Sequence, residues 1–409
     1  MCGVKWYGEG LFEREAVLGA DQSASRLNVL KSGRFIYNRL FAWKASFALV
    51  SGEFDGLFVS NEFPQFDISR SQVLPEYLLA WCLSRPFLER VGKASEGSAA
   101  VSRNRLKEVS FLEFDLLLPA LDVQGEICGR LSKRLAEAQK LERECEMAEV
   151  TAHEQFTIGL GMGARVEAQL RRAFAMRWSS IGRWSIDAAR AGGAASTAGR
   201  YPVVAMDDLL VRVQYGTSEK ANTEGDGVAV LRMNNIKDGE LDFGDIKHVR
   251  LSATDVDRWR LADGDVLINR TNSKELVGKC AVFRGTREFV FASYLIRLQL
   301  DPKRVRPEFV AAVLNGPVGR RQIDGLSRQI IGQANINSKE LRSLRLPLPP
   351  LEVQDALIAA ASAVAVGVAE QRALAERVRA SARREIEVAL LGHPHLNPNA
   401  SIDAIAKTE

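Results

Sequence analysis

Two Asn-Arg pairs stand at the ends of apolar runs, in Gly33-Arg-Phe-Ile-Tyr-Asn38-Arg39 and in Gly264-Asp-Val-Leu-Ile-Asn269-Arg270. The second continues into Thr-Asn272-Ser-Lys274. Polar runs of similar character follow each: Ser102-Arg103-Asn104-Arg105, then Arg328-Gln329 and Gln333-Ala-Asn335-Ile-Asn337. Arg and Lys suit phosphate oxygens and guanine O6 and N7, while Asn and Gln match the donor–acceptor pair on adenine. The same residue types also cap turns and pair locally, so both uses stay open for each of them. Thr217 and Lys220, on the glycine turn Gln214-Tyr-Gly-Thr217-Ser-Glu-Lys220, could hold a phosphate or stabilise their own turn. The aromatics Trp6, Tyr7, Phe35, Tyr37, Phe41 and Trp43 read as core, with base stacking as the other use.

Groupings that make or break bonds are missing from the sequence. The five cysteines (Cys2, Cys82, Cys128, Cys145, Cys280) and four histidines (His153, His248, His393, His395) lack metal-ligand spacing. This predicts no metal, no cofactor, and small buried thiols in a reducing cytoplasm. Gly159-Leu-Gly-Met-Gly163 follows no clear strand and does not read as a dinucleotide loop. There is no Walker A sequence. Asn397-Pro-Asn lacks the aromatic of an amino-methyltransferase motif, and Asp263 and Asp265 near Lys274 miss nuclease spacing. A net charge of +4 and a pI near 8.8 permit a polyanionic partner without demanding one. There is no signal peptide and no apolar run near the ~18 residues of a membrane span.

What positions these residues is a duplication. Leu30 to Arg39 matches Leu261 to Arg270, Leu74-Pro-Glu-Tyr77 matches Arg306-Pro-Glu-Phe309, and Pro119-Ala-Leu-Asp-Val-Gln124 matches Pro349-Pro-Leu-Glu-Val-Gln354. The three matches keep one order at offsets of 230 to 232 residues. Each copy predicts an apolar strand, a short helix opened by Pro75 or Pro307, and a long helix. Proline suits the first turn of a helix. The first long helix runs from near Val123 to at least Glu149, with Cys128, Leu131, Leu135, Ala138, Leu141, Cys145 and Ala148 on one face. The second runs from about Val353 to Leu391. Its Leu357, Ala361, Val364, Val368, Gln371, Ala375, Val378 and Ala382 step by four and three, the seam of a coiled coil. Chain direction makes the pair antiparallel, a rod of ~45–60 Å at ~1.5 Å per residue. That is roughly one to one and a half turns of DNA, whose half-sites repeat every ~34–36 Å. Residues 155–200 bridge to the second copy and carry seven arginines from Arg165 to Arg200, with 190–200 a flexible linker. The tail beyond Gly392 is expected to fray. Met1 aligns with Arg232, so the first copy lacks a counterpart of residues 201–231.

Taken together, the motifs resemble those of the specificity subunits of Type I restriction–modification systems. The resemblance rests on Tyr201-Pro-Val-Val-Ala-Met-Asp-Asp-Leu-Leu, the Gly216-Thr217…Lys220 turn, Leu231-Arg-Met-Asn-Asn-Ile-Lys-Asp-Gly239, Gly264-Asp-Val-Leu-Ile-Asn-Arg270, Gly332-Gln-Ala-Asn-Ile-Asn337 and Leu346-Pro-Leu-Pro-Pro-Leu-Glu-Val-Gln354. It is strong over 201–391 and moderate over 4–150. It implies an α/β chain of two similar mixed target-recognition domains, joined by two long antiparallel coiled-coil helices. The domains would span 1–120 (shortened at its N-terminus) and 201–350. The helices would span 121–155 and 351–391, with a connector at 156–200 and a flexible tail at 392–409. The resemblance also implies a non-catalytic, cytoplasmic reader of a bipartite double-stranded DNA target. Its partners would be two modification (methyltransferase) subunits and, for cleavage, restriction (translocase–nuclease) subunits. The DNA-contacting candidates are Asn38, Arg39, Arg103, Asn104, Arg105, Thr217, Lys220, Asn269, Arg270, Asn272, Lys274, Arg328, Gln333, Asn335 and Asn337. Two other readings stand beside it: a coiled-coil assembly or adaptor protein without DNA readout, and a divergent nuclease or methyltransferase.

Overall fold

The computed structural model describes residues 1–14, 27–95, 105–162, 199–330, 333–391 and 397–407. The chain divides into two units, Met1–Glu144 with Glu370–Glu409, and Cys145–Ala369. Each unit is built on a four-stranded antiparallel sheet. In the first the strands run in the order Ala406–Lys407, Gln65–Ile68, Phe35–Tyr37, Phe47–Leu49. In the second they run Leu210–Tyr215, Leu295–Leu300, Val266–Asn269, Cys280–Val282. The register repeats as well: Phe35 faces Phe66, and its counterpart Val266 faces Leu298. The expected duplication is therefore a duplication of fold.

Phe35–Tyr37 and Val266–Asn269 are buried along their whole length. Side chains alternate across a strand, so each sheet has a core on both faces. Phe35 and Tyr37 join Phe47, Phe66, Tyr77 and Phe111 on one face, while Ile36 joins Ala48 and Val59 on the other. Val266 and Ile268 join Phe309 and Leu314, while Leu267 packs with Phe283 and Phe291.

The matched Val-Gln of the two copies has a structural reason. Gln124 and Gln354 are fully buried at the starts of the long helices. Gln124 Oε1 accepts the Leu74 N–H at 2.8 Å, and its amide donates to the carbonyls of Pro119 (2.8 Å) and Gln72 (3.0 Å). Gln354 Oε1 accepts the Arg306 N–H at 2.9 Å, and its amide donates to Pro349 (2.9 Å) and Arg304 (3.2 Å). One side chain thus ties the proline-opened helix, the strand end and the long helix together. Replacing Gln354 by Leu strands a buried N–H and two carbonyls, each costing about 1–3 kcal/mol. The second unit should unfold at a clearly lower temperature in calorimetry, and an unchanged transition would show that the glutamine is not a clasp.

The long helices span Leu121–Gly159 and Leu351–Leu391. The predicted seam is the one observed: Ala138, Cys145, Val368, Ala375 and Ala382 are buried on otherwise exposed surfaces. In the first unit Arg134 lies 3.4 Å from Glu385, and Arg379 pairs with Glu142. In the second unit Cys145 Sγ lies 3.7 Å from the Val368 carbonyl, and Gly159 abuts Leu357. Numbers rise on one helix as they fall on the other, so the pairing is antiparallel within each unit. By length and composition the second helix is also apolar enough to cross a membrane, with a mean hydropathy of 1.6 over its best window. The sequence reading of no such run is corrected here; the leucines, isoleucine and valines between Leu351 and Val368 supply most of that value.

A second correction concerns the tail. Residues 397–407 do not fray but complete the first unit. Asn397–Ser401 pairs with Asp115–Leu118, as Val203–Ala205 pairs with Arg345–Pro347 in the second unit. The Ile402 N–H donates to Phe114 O at 2.9 Å, and the Met206 N–H to Leu344 O at 2.7 Å. The Ser69 N–H donates to Ile405 O at 2.8 Å, and the Asp301 N–H to Leu209 O at 2.9 Å. Tail and opening segment also share a spelling, Pro-x-x-x-Ile402-Asp-x-Ile405 against Pro-x-x-x-Met206-Asp-x-Leu209. The first unit is therefore assembled from both ends of the chain. The Arg-rich 165–190 stretch, the 190–198 linker and Gly163 lie outside the described residues.

Candidate nucleic-acid interface

In the second unit the strand Val266–Asn269 delivers Arg270 to a loop edge. The Arg270 N–H donates to Tyr294 O at 2.9 Å, and its carbonyl accepts the Ile336 N–H at 2.9 Å. The guanidinium lies over the Tyr215 ring, 4.9 Å from its centroid, with Nη1 3.5 Å from Ser293 O. Tyr215 is itself fixed: its hydroxyl accepts the Ser338 N–H at 2.9 Å, and its carbonyl accepts the Trp259 indole N–H at 3.1 Å. No carboxylate pairs with Arg270 among the described residues. A ring face orients a guanidinium without consuming its N–H donors.

Beyond Arg270, Thr271–Asn272 pairs with the strand Gln333–Asn335, which pairs with Arg328–Ile330. Thr271 Oγ1 donates to Asn335 Oδ1 at 2.6 Å. Asn272 Oδ1 accepts the Ser273 N–H at 2.8 Å. Lys220 and Lys274 are exposed and pair with no carboxylate among the described residues. Arg270, Asn272, Asn335 and the two hairpin strands carrying Arg328 and Gln333 thus meet in one small sheet, with Lys274 on the adjoining turn.

The first unit builds the same loop with the same bonds and different side chains. The Arg39 N–H donates to Glu62 O, and its carbonyl accepts the Leu106 N–H, both at 3.0 Å. Arg39, however, pairs with Glu108, and Arg105 pairs with Glu62 at 2.8 Å. The matched positions in the second unit are Ser338 and Tyr294. Two carboxylates therefore occupy the arginines of the first loop, where the second loop has none. Burial, reinforced by Glu108, also raises the Tyr37 hydroxyl far above its usual range, so it stays a donor to Leu106 O at 3.2 Å.

Other expected contacts turn inward. Asn38 and Asn269 are buried; Asn38 Oδ1 accepts the Leu40 N–H at 3.0 Å, and Asn269 Nδ2 lies 3.4 Å from Leu276 O. Thr217 is buried, and its hydroxyl accepts the Glu219 N–H at 3.2 Å. Asn337 caps the helix Ser338–Arg342 by accepting the Glu340 N–H at 2.9 Å. Each of these four makes a local bond that shapes its loop, while Asn269 Oδ1 has no hydrogen-bond partner among the described residues. Arg103 and Asn104 lie outside the described residues. Residue type alone does not mark Tyr215, which seats Arg270; its one signal is an aromatic directly before the glycine turn.

Among the described residues no cluster of His, Cys, Asp and Glu could hold a metal. Asp263 pairs with Arg284, and Asp265 with Arg297 at 3.2 Å, so the acidic pair near Lys274 is structural. Burial pushes the Cys280 thiol up to about 12 and Cys128 up to about 11, which keeps both protonated.

No family model matches this chain. It is 28% identical over 151 residues to a type I restriction enzyme specificity subunit of Methanocaldococcus jannaschii, covering 36% of each chain. It is 24% identical over 271 residues to the Type I restriction enzyme EcoKI specificity subunit of Escherichia coli, covering 65% of this chain and 54% of that one. It is 22% identical to the StySPI specificity subunit of Salmonella potsdam, covering 70% of this chain and 57% of that one. The matches thus span between about a third and somewhat over half of these relatives. A solved chain from work on complex assembly and conformational transition of the type I R-M system shares the fold, with a TM-score of 0.50 at 18% identity, covering 91% of this chain and 84% of that one. Alongside the duplicated sheet, the paired long helices and a loop built twice by the same bonds, the chain is thus similar in sequence to Type I restriction enzyme specificity subunits and shares its fold with that solved chain.

Proposed function

We propose that this chain reads a bipartite double-stranded DNA target in the cytoplasm and directs methylation and cleavage by partner subunits, doing no chemistry itself. The observation that carries the reading is Arg270, held on Tyr215 at a loop edge with no carboxylate paired to it among the described residues. Lys220, Lys274, Asn272, Asn335 and the strands carrying Arg328 and Gln333 belong to the same proposed surface. In the first unit Arg39 and Arg105, with Arg103 and Asn104 beyond the described residues, stay as weaker candidates because Glu108 and Glu62 compete for the arginines. Duplication presents similar surfaces twice, which suits two copies of one modification subunit, with restriction subunits joining for cleavage.

Duplex binding measured across a salt series tests this. Phosphate contacts release counterions, so affinity should fall linearly with the logarithm of salt, by about one order per order of salt for each contact. Base-resolved methylation mapping of the host should yield one two-part motif that disappears when the gene is deleted. Salt-independent binding without sequence preference would instead establish an adaptor.

A further inference from the structure

We propose that the first unit reads its half of the DNA with an aromatic wedge, Trp6 and Tyr7, backed by Lys44. The inference rests on the DNA-reading function above and names the side chains that serve it in the unit whose arginines are neutralised.

Tyr7 adopts φ 59° and ψ 22°, a left-handed conformation, while the residue is 58% exposed. A bulky non-glycine residue held there is strained, and such strain collects at functional sites. The neighbouring Trp6 is 41% exposed and meets Tyr7 edge-on, with ring centroids 6.5 Å apart. This turn is fastened to the loop that matches the Arg270 loop: the Gly8 N–H donates to Ala45 O at 2.9 Å, and the Trp6 ring lies 5.2 Å from Phe41. Lys44 Nζ stands 3.7 Å from the Trp6 centroid and 5.0 Å from that of Trp43. Lys44 pairs with no carboxylate among the described residues, so its charge is free for an anion. Two exposed rings beside an uncompensated cation, on a loop whose arginines are engaged elsewhere, fit a base step with its phosphate. Aromatic and apolar wedges enter such steps by partly unstacking them, and the adjacent cation holds the backbone.

The test is Tyr7→Gly in the full chain, alone and with co-expressed modification subunits. Glycine removes the ring and accepts the positive φ without strain, so a merely structural tyrosine would be replaced at no loss. The probe is a duplex carrying the target mapped by methylation, with 2-aminopurine placed in turn along each half-site. We expect affinity to fall at least ~5-fold, from the loss of one stacking contact. We also expect the 2-aminopurine brightening at one half-site to vanish, while the thermal midpoint stays or rises. Trp6→Phe should retain most of the affinity. Wild-type affinity and fluorescence in Tyr7→Gly, together with a weakened Arg270→Ala, would overturn the wedge and leave the general reading intact. Loss of the modification subunits from Tyr7→Gly, with DNA affinity of the chain alone unchanged, would overturn it in favour of a protein contact. Failure of the wild-type chain and its complex to bind the duplex would remove both.

Discussion

A chain ended after Leu391 should fail to fold its first unit while the second unit unfolds at its usual temperature. The tail contributes Ile402 and Ile405, both buried in the core that holds Phe35, Tyr77 and Phe111. Burying each isoleucine is worth about 1.5–3 kcal/mol. The tail also covers two edges, pairing with Asp115–Leu118 and with Gln65–Ile68. Together these approach the whole margin of a domain, roughly 5–15 kcal/mol. Hydrogen exchange should show Phe35–Tyr37 losing protection and Val266–Asn269 keeping it. A synthetic peptide of residues 397–407 supplied in excess should restore protection, since what binds only the folded state stabilises it by mass action. The milder Ile402→Val should cost about 0.5–1.5 kcal/mol. Full protection of Phe35–Tyr37 in the truncated chain would show that the tail is an accessory and not part of the fold.

The second large effect belongs to Arg270. Replacing it with Ala should weaken binding of the mapped target by about 1–3 kcal/mol and relax discrimination at one base pair of one half-site. Lys at this position keeps the charge but loses the planar fork that rests on Tyr215, so it should recover phosphate attraction without base discrimination. Arg39→Ala should do much less to DNA binding, because Glu108 already holds that guanidinium. The comparison uses duplexes substituted one base pair at a time. Equal losses from Arg270→Ala and Arg39→Ala at every position would mean that neither reads a base.

The two loops also show how far a sequence can be read. Leu30 to Arg39 and Leu261 to Arg270 announce one structure used twice, and the bonds at Arg39 and Arg270 agree to a tenth of an ångström. Nothing in either stretch says that one arginine is engaged and the other is not. The deciding residues, Glu108 for Arg39 and Tyr215 for Arg270, lie 69 and 55 residues away in the chain. Likewise Asn38 and Asn269 have the right type for a base edge, but strand ends buried on both faces turn them inward.

By itself the sequence determined the repeat, the apolar strands, the proline-opened helices and the coiled-coil seam. Each is written in a local period or a matched spacing, and local periods fix which face of an element must leave water. Only the tertiary structure decided that residues 397–407 finish a unit begun at Met1, that Gln124 and Gln354 are clasps, and which arginine meets a carboxylate. Those outcomes depend on which distant groups meet once the cores close. A strand edge or a guanidinium accepts whatever partner the packing brings, and its own neighbours in the chain do not name it.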